Sequence, residues 1–237
     1  MIKTNQRRIS ILIAMLVLCW GVAGLAVAEI AVKDRQRIAF LGDSITAKGF
    51  LNPNGYVNLT IAGLKANGIR VIAIPAGIVG HKSNQMLKRL KKDVLDKNPD
   101  WLILSCGVND VWHGTHGVSL DEYRVNIAAI VEQCQDAGVR VLILTATVIG
   151  EDLDSDYNMK LAAYNEFLRT LAKEKNCRLA DLNAMFQRRI VTRSKPGCLL
   201  TTDGIHMNSE GDRLMAEGIL RALGLNRSQM NKAKESW

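Results

Sequence analysis

Short apolar runs alternate with segments of helical periodicity five times along this chain, and that alternation constrains the fold more than any other feature. The runs are Ile38-Ala39-Phe40-Leu41, Val71-Ile72-Ala73-Ile74, Trp101-Leu102-Ile103-Leu104, Val139 to Leu144 and Arg178-Leu179-Ala180. Each is short, rich in β-branched or large apolar residues and bounded by glycine, asparagine or a charged turn, as a strand covered on both faces is. Between them lie helical patterns. Val57, Ile61 and Leu64 have helical spacing before Asn67-Gly68, and Met86, Leu87, Leu90 and Val94 share a face before Pro99. Ser119-Leu120-Asp121-Glu122 is a capping box opening a helix to Ala137, Tyr157 to Lys175 is helical, and Ser209 begins a last helix ending near Leu223-Gly224. Crossovers of this length join parallel strands, so the prediction is an α/β fold with a parallel sheet of about five strands, helices on both faces and right-handed connections.

The ends of the chain stand outside that pattern. Lys3, Arg7 and Arg8 precede an apolar run from Ile9 to Trp20 and a stretch ending Ala26-Val27-Ala28. A basic region, an apolar core of that length and small residues at the Ala-x-Ala positions make residues 1–28 a secretory signal peptide cleaved before Glu29. The alternative is an uncleaved anchor, since Ile9 to Ala28 nearly suffices to span a bilayer. Residues 29–225 then form one domain and 226–237 a loose polar tail. Removing residues 1–28 leaves 28 Lys and Arg against 23 Asp and Glu, a net +5 instead of +8. That excess is dispersed, and Lys88-Arg89-Leu90-Lys91-Lys92 reads as the solvated face of a helix rather than a nucleic-acid surface. Export permits disulfides. Cys106 and Cys134 fall on core positions, whereas Cys177 and Cys198 flank a loop-rich region and make the better pair.

Chemistry concentrates where strands end. In open parallel sheets the carboxyl edge is where ligands bind. The first run stops at Gly42-Asp43-Ser44, which presents a hydroxyl there. Alone, such a triplet is an ordinary turn or helix cap. The second run leads to Gly77 and Gly80, whose backbone N–H groups have no side chain in the way of a bound oxyanion. The third leads to Gly107-Val108-Asn109-Asp110, with an amide donor at Asn109. Asp203-Gly204-Ile205-His206 lies before the last helix, and its spacing lets a carboxylate orient a neighbouring imidazole. Singly each has a bland reading. Together they deliver a nucleophile, oxyanion donors and an oriented base to one edge, as acyl transfer requires.

In these residues the chain resembles the SGNH hydrolases, the GDSL esterase/lipase family. Gly42-Asp43-Ser44 is similar to that family's first block, Gly80 to the glycine of the second, Gly107-x-Asn109-Asp110 to the third and Asp203-x-x-His206 to the fifth. The resemblance runs from Ile38 to about Leu223. It implies a flavodoxin-like three-layer α/β/α sandwich, a catalytic triad of Ser44, His206 and Asp203, and an oxyanion hole of Ser44, Gly80 and Asn109. The second block departs from the family pattern, because His81-Lys82-Ser83 follows Gly80, which leaves Gly77 as a rival oxyanion donor.

Asp43, Trp112 and His113 are the candidate substrate contacts. His113 and His116 are close enough in sequence to raise a metal site, but their place after the third block makes them pocket residues, and no cofactor or metal is expected. The expected activity is that of an exported serine esterase, removing small acyl groups such as acetyl from carbohydrate. Lysophospholipid or thioester hydrolysis is the alternative within the family. A glycan-binding module that kept the fold without catalysis, or a flavodoxin-like phosphate or flavin binder, is the alternative outside it. The substrate is a small-molecule or glycan ester, with no nucleic-acid partner and no stable membrane insertion once the leader is gone.

Overall fold

The computed structural model describes residues 29–192 and 199–237, so the leader and Cys198 lie outside the described residues. Five strands, β1 (Arg37–Gly42), β2 (Ile72–Gly77), β3 (Trp101–Ser105), β4 (Arg140–Leu144) and β5 (Arg178–Ala180), form one sheet. Its order is β2-β1-β3-β4-β5, and every pair is parallel. The order reverses at β1, so β1 and β3 leave a crevice at their carboxyl ends, the topological switch point of an open α/β sheet.

Nine helices carry the connections among the described residues: α1 (Ser44–Leu51), α2 (Tyr56–Ala66), α3 (Ser83–Asp93), α4 (Val108–Trp112), α5 (Leu120–Asp136), α6 (Asp156–Glu174), α7 (Leu182–Thr192), α8 (Ser209–Ala222) and α9 (Arg227–Glu235). One group, α1, α2, α7, α8 and α9, packs together, and α3 through α6 form another. The sheet lies between them. Ile38, Leu41, Leu102 and Ile143 are fully buried, which explains why the strands read as continuous apolar runs rather than alternating ones.

Four helices went unpredicted, and each had a sequence-level reason. α1 begins at Ser44 in a stretch that reads as glycine-rich loop. α4 is too short to show periodicity, and α7 was hidden by the basic pair Arg188-Arg189. The expectation of a loose tail after Asn226 is corrected by α9. Asn226 and Gln229 form a reciprocal cap, Met230 and Ala233 are buried, and Trp237 Nε1–H donates to the Leu59 carbonyl at 2.9 Å. Two apolar side chains and one indole hold an otherwise polar helix. Cys106, Cys134 and Cys177 carry free thiols; the expected pairing of Cys177 with Cys198 falls outside the described residues. Among the described residues no helix is long and apolar enough to cross a membrane.

Candidate active site

Ser44 opens α1, directly after β1. Asp43 caps that helix, its Oδ1 accepting the Ile45 N–H at 2.9 Å. As the first helical residue, Ser44 has a backbone N–H with no acceptor inside the helix, and the positive end of α1 lies there. Its hydroxyl meets His206, with Oγ and Nε2 2.9 Å apart. His206 Nδ1 in turn stands 2.6 Å from Asp203 Oδ2.

Asp203 Oδ1 also accepts the backbone N–H groups of Ile205 at 3.0 Å and His206 at 2.7 Å. Partial burial pulls this carboxyl upward, but the His206 and Ile205 donors outweigh it and hold the pKa at about 2. An ionised Asp203 fixes the proton on Nδ1 and leaves Nε2 as the acceptor facing Ser44.

A cleft of about 350 Å³ opens in front of Ser44, and Gly80, Asn109, Trp112, His113, Asp203 and His206 line it. Gly80 has φ +75° and open space where a Cβ would stand, whereas a Cβ on Gly77 would come within 2.4 Å of the Ala47 backbone nitrogen. Gly80 therefore lies in the wall of the cleft, whereas Gly77 packs under α1. Asn109 Nδ2 donates to Asp43 Oδ2 at 3.3 Å and to the His81 carbonyl at 3.2 Å. Both bonds are long and weak.

Asp43 is a correction to the expected substrate contacts. It is 2% exposed and spends its oxygens on the α1 cap and Asn109, so it sits beneath the site rather than in it. Burial pushes its pKa up to about 7 against the Ile45 N–H, and the nearby Asp110 carboxylate adds to the rise. Asp110 is itself raised by burial while accepting the Ser83 N–H at 2.9 Å. Trp112 and His113 do line the cleft. His116 is exposed and does not. Among the described residues no group of three His, Cys, Asp or Glu side chains is arranged to hold a metal ion.

Two residues that sequence reasoning passed over organise this edge. Arg89 reads as one cation in a solvated basic run, yet its side chain is only 10% exposed. Its guanidinium donates to the carbonyls of Gly42 and Ala76 at 2.9 and 2.8 Å and to His81 Nδ1 at 3.1 Å. It thus ties the ends of β1 and β2 to the segment after Gly80. A signal existed, since Met86, Arg89 and Asp93 share one helical face. Glu151 follows β4, and its carboxylate accepts the backbone N–H groups of Leu199, Leu200 and Thr201 and the Thr201 hydroxyl at 2.6 to 2.9 Å. The Gly150 N–H donates to the Gly204 carbonyl at 2.7 Å. Together these bonds hang the Asp203–His206 loop from the end of β4. No local pattern marks Glu151, because its partners lie about fifty residues away.

A parallel three-layer sheet whose switch-point crevice holds a hydroxyl, an imidazole and a carboxylate in hydrogen-bonded series belongs with the α/β hydrolytic enzymes. Comparison sharpens the class: the GDSL-like Lipase/Acylhydrolase family model matches residues 40–214, and the chain belongs to that family of ester-bond hydrolases. An acetylxylan esterase of Geobacillus stearothermophilus is 26% identical over 210 residues, spanning 80% of this chain and 94% of that protein. An isoamyl acetate-hydrolyzing esterase of Schizosaccharomyces pombe is 28% identical over 194 residues, 79% of this chain and 75% of that one. The crystal structure of the acetyl xylan esterase AlAXEase superposes with a TM-score of 0.71 at 34% identity, covering 78% of this chain and 98% of its own.

Proposed function

We propose that the protein is an exported esterase that removes acetyl groups from carbohydrate through Ser44, His206 and Asp203. The observation that carries this reading is the unbroken series Ser44 Oγ, His206 Nε2, His206 Nδ1, Asp203 Oδ2, with contacts of 2.9 and 2.6 Å, beside Gly80 and Asn109. The acetyl esters hydrolysed by the relatives, as their names state, supply the substrate class. The small cleft in front of Ser44 suits a short acyl group.

Ser44 Oγ attacks the acetyl carbonyl carbon as its proton passes to His206 Nε2, and Asp203 holds the imidazolium that results. The tetrahedral oxyanion is met by the Ser44 and Gly80 N–H groups and by Asn109, which gives up its long bond to Asp43 to turn a hydrogen inward. Each such donor lowers the barrier by on the order of 3 kcal/mol. The bond to the sugar oxygen then breaks, and the Nε2 proton goes to the departing alkoxide, leaving acetyl-Ser44. Water repeats the sequence, giving its proton to His206, and acetate leaves as Ser44 recovers its own.

Export rests on the leader. Ile30 and Val32, just after the expected cleavage, are 8% and 1% exposed and belong to the core, so the mature domain would start at its own packed residues. N-terminal sequencing of the protein recovered outside the cytoplasm should begin at Glu29; a retained Met1 would favour the anchored form. The chemical test is fluorophosphonate labelling with peptide mapping, run beside acetate release from acetylated xylan. One adduct on Ser44 and acetate release are expected. An unlabelled, inactive protein would move the non-catalytic glycan-binding reading to the front.

A further inference from the structure

Aromatic side chains are scarce in this chain, with four each of Phe, Trp and Tyr, and all but two of the described ones are buried or half-buried, Phe50, Phe167 and Trp237 being half-buried against the core. Tyr56, Tyr123, Tyr164, Phe40, Phe186 and Trp101 are 0 to 3% exposed. Trp112 and Tyr157 are the exceptions, at 44% and 42%. These two exposed rings are each other's neighbours, with centroids 5.1 Å apart and planes tilted by 38°. Trp112 also lines the cleft in front of Ser44. Leaving two large rings half in water forgoes burial that a core position would reward. A ledge of that kind, beside a nucleophilic hydroxyl, calls for a ligand to cover it.

The ledge is rigid. Trp112 ends α4, three residues after Asn109, so one turn of one helix presents both to the cleft. Tyr157 stands in the first turn of α6, which Ser155 caps. Its neighbour Asn158 is buried and pins the preceding loop: Oδ1 accepts the Ile149 N–H at 3.0 Å, and Nδ2 donates to the carbonyls of Ile149 and Asp152 at 3.0 and 2.7 Å. A surface held this firmly loses little freedom on binding.

The geometry points to Trp112 and Tyr157 as a stacking platform for a pyranose ring of the alcohol moiety, with Tyr157 the specificity-determining residue that the family motifs do not contain. A sugar ring has one face of C–H bonds that packs on aromatic faces and a rim of hydroxyls that stays in water or meets polar groups such as His113. An open, half-hydrated ledge offers both. A long acyl chain would instead need a closed apolar groove. This inference rests on the carbohydrate esterase reading above.

The test compares kcat/KM for acetylated xylo-oligosaccharide with that for ethyl acetate, which has no ring to stack. In Tyr157→Ala the ratio should fall about 10-fold, the scale of one aromatic contact, with the loss mainly in KM. Tyr157→Phe, which keeps the ring, should retain the ratio. Trp112→Ala should move it in the same direction. Tyr157 is exposed, so its variants should melt with the wild type. A wild type that cleaves the sugar ester while Tyr157→Ala keeps the ratio would overturn the platform alone. A wild type that cleaves ethyl acetate but not the oligosaccharide would overturn the carbohydrate reading and the platform with it. A Tyr157→Ala loss greater on long-chain nitrophenyl esters than on the sugar would give the ledge to an acyl chain and overturn the proposal as well.

Discussion

The two halves of the site are held in different ways. Ser44, Gly80 and Asn109 follow the ends of β1, β2 and β3 within four residues, and their supports are interior. Asp43 is 2% and Asp110 1% exposed, and Arg89 bonds two strand-end carbonyls at once. His206 and Asp203 occupy a loop with no strand beneath it, and their side chains are 21% and 51% exposed. Glu151, the Gly150–Gly204 bond and an isolated antiparallel bridge between Thr201 and Met207 hold that loop. Ser44, Gly80 and Asn109 are therefore fixed by the core, whereas His206 is placed by a few hydrogen bonds near the surface. Damage to the first half should act through chemistry at an intact fold, and damage to the second through misplacement of an intact imidazole.

Loss of Ser44, the proposed nucleophile, should give the largest effect. Ser44→Ala should lower kcat by on the order of 10⁴-fold or more, and His206→Ala should match it, because groups that act as one unit lose their function together. Thermal melting should stay near that of the wild type in both. If Ser44→Ala kept more than about a tenth of the turnover, the relay would not be the route of attack. Asn109→Ala comes next, at about 10²–10³-fold in kcat. Its present bonds to Asp43 and His81 are long, so the fold should barely notice. Wild-type turnover from Asn109→Ala would remove it from the oxyanion site.

Glu151→Gln probes the other half. One carboxylate now accepts four hydrogen bonds; an amide turns an NH₂ toward either the Leu199 N–H or the Thr201 donors, and that donor loses its partner at a cost of about 1–3 kcal/mol. The loop carrying Asp203 and His206 should loosen, and kcat should fall by about 10-fold with little change in KM. Equal losses in kcat for small and large esters are expected, since the base serves both. Unchanged kcat would show that the base half is held by something other than Glu151.

How much of this was readable from residues follows the same division. β1 and Ser44, β3 and Asn109, and Asp203 with His206 are each local patterns: an apolar run that stops at a turn, or a carboxylate three residues before an imidazole. A parallel sheet covered on both faces followed from the alternation of periods, whereas the order of its strands had no local signal. The supports were not readable, because they act across the chain. Glu151 meets residues 199–201, and Arg89 reaches back to Gly42 from a run whose other cations face water. Asp43 was misjudged for a related reason. The residue next to a nucleophile looks available for substrate until the helix it caps is seen to turn its carboxylate inward. Tyr157 gave no signal, since a helical pattern does not say which aromatic is left outside.

The smallest expected effect concerns the link between the halves. Asp212, on α8 just beyond the base loop, accepts the Tyr56 N–H with Oδ1 at 2.9 Å, and the Tyr56 hydroxyl meets Thr46 Oγ1 at 2.8 Å, two residues from Ser44. Burial raises the Asp212 pKa to about 6, only partly countered by the Tyr56 N–H. A carboxyl raised on folding stabilises the protein most when both states are protonated, and that contribution is lost as pH climbs through the folded value. Wild-type stability should therefore fall by on the order of 1 kcal/mol from this group between about pH 5 and about pH 7. Asp43, pushed up to about 7, adds a slope of the same sign slightly higher, while Asp203 at about 2 adds none in this range. Asp212→Asn keeps an acceptor for Tyr56 but removes the charge. Denaturant melts at the two pH values should show the variant's slope reduced and its stability at the higher pH equal to or above the wild type's. An undiminished slope would mean that Asp212 ionises in the fold as easily as in the unfolded chain, and that the link between the two halves carries no electrostatic load.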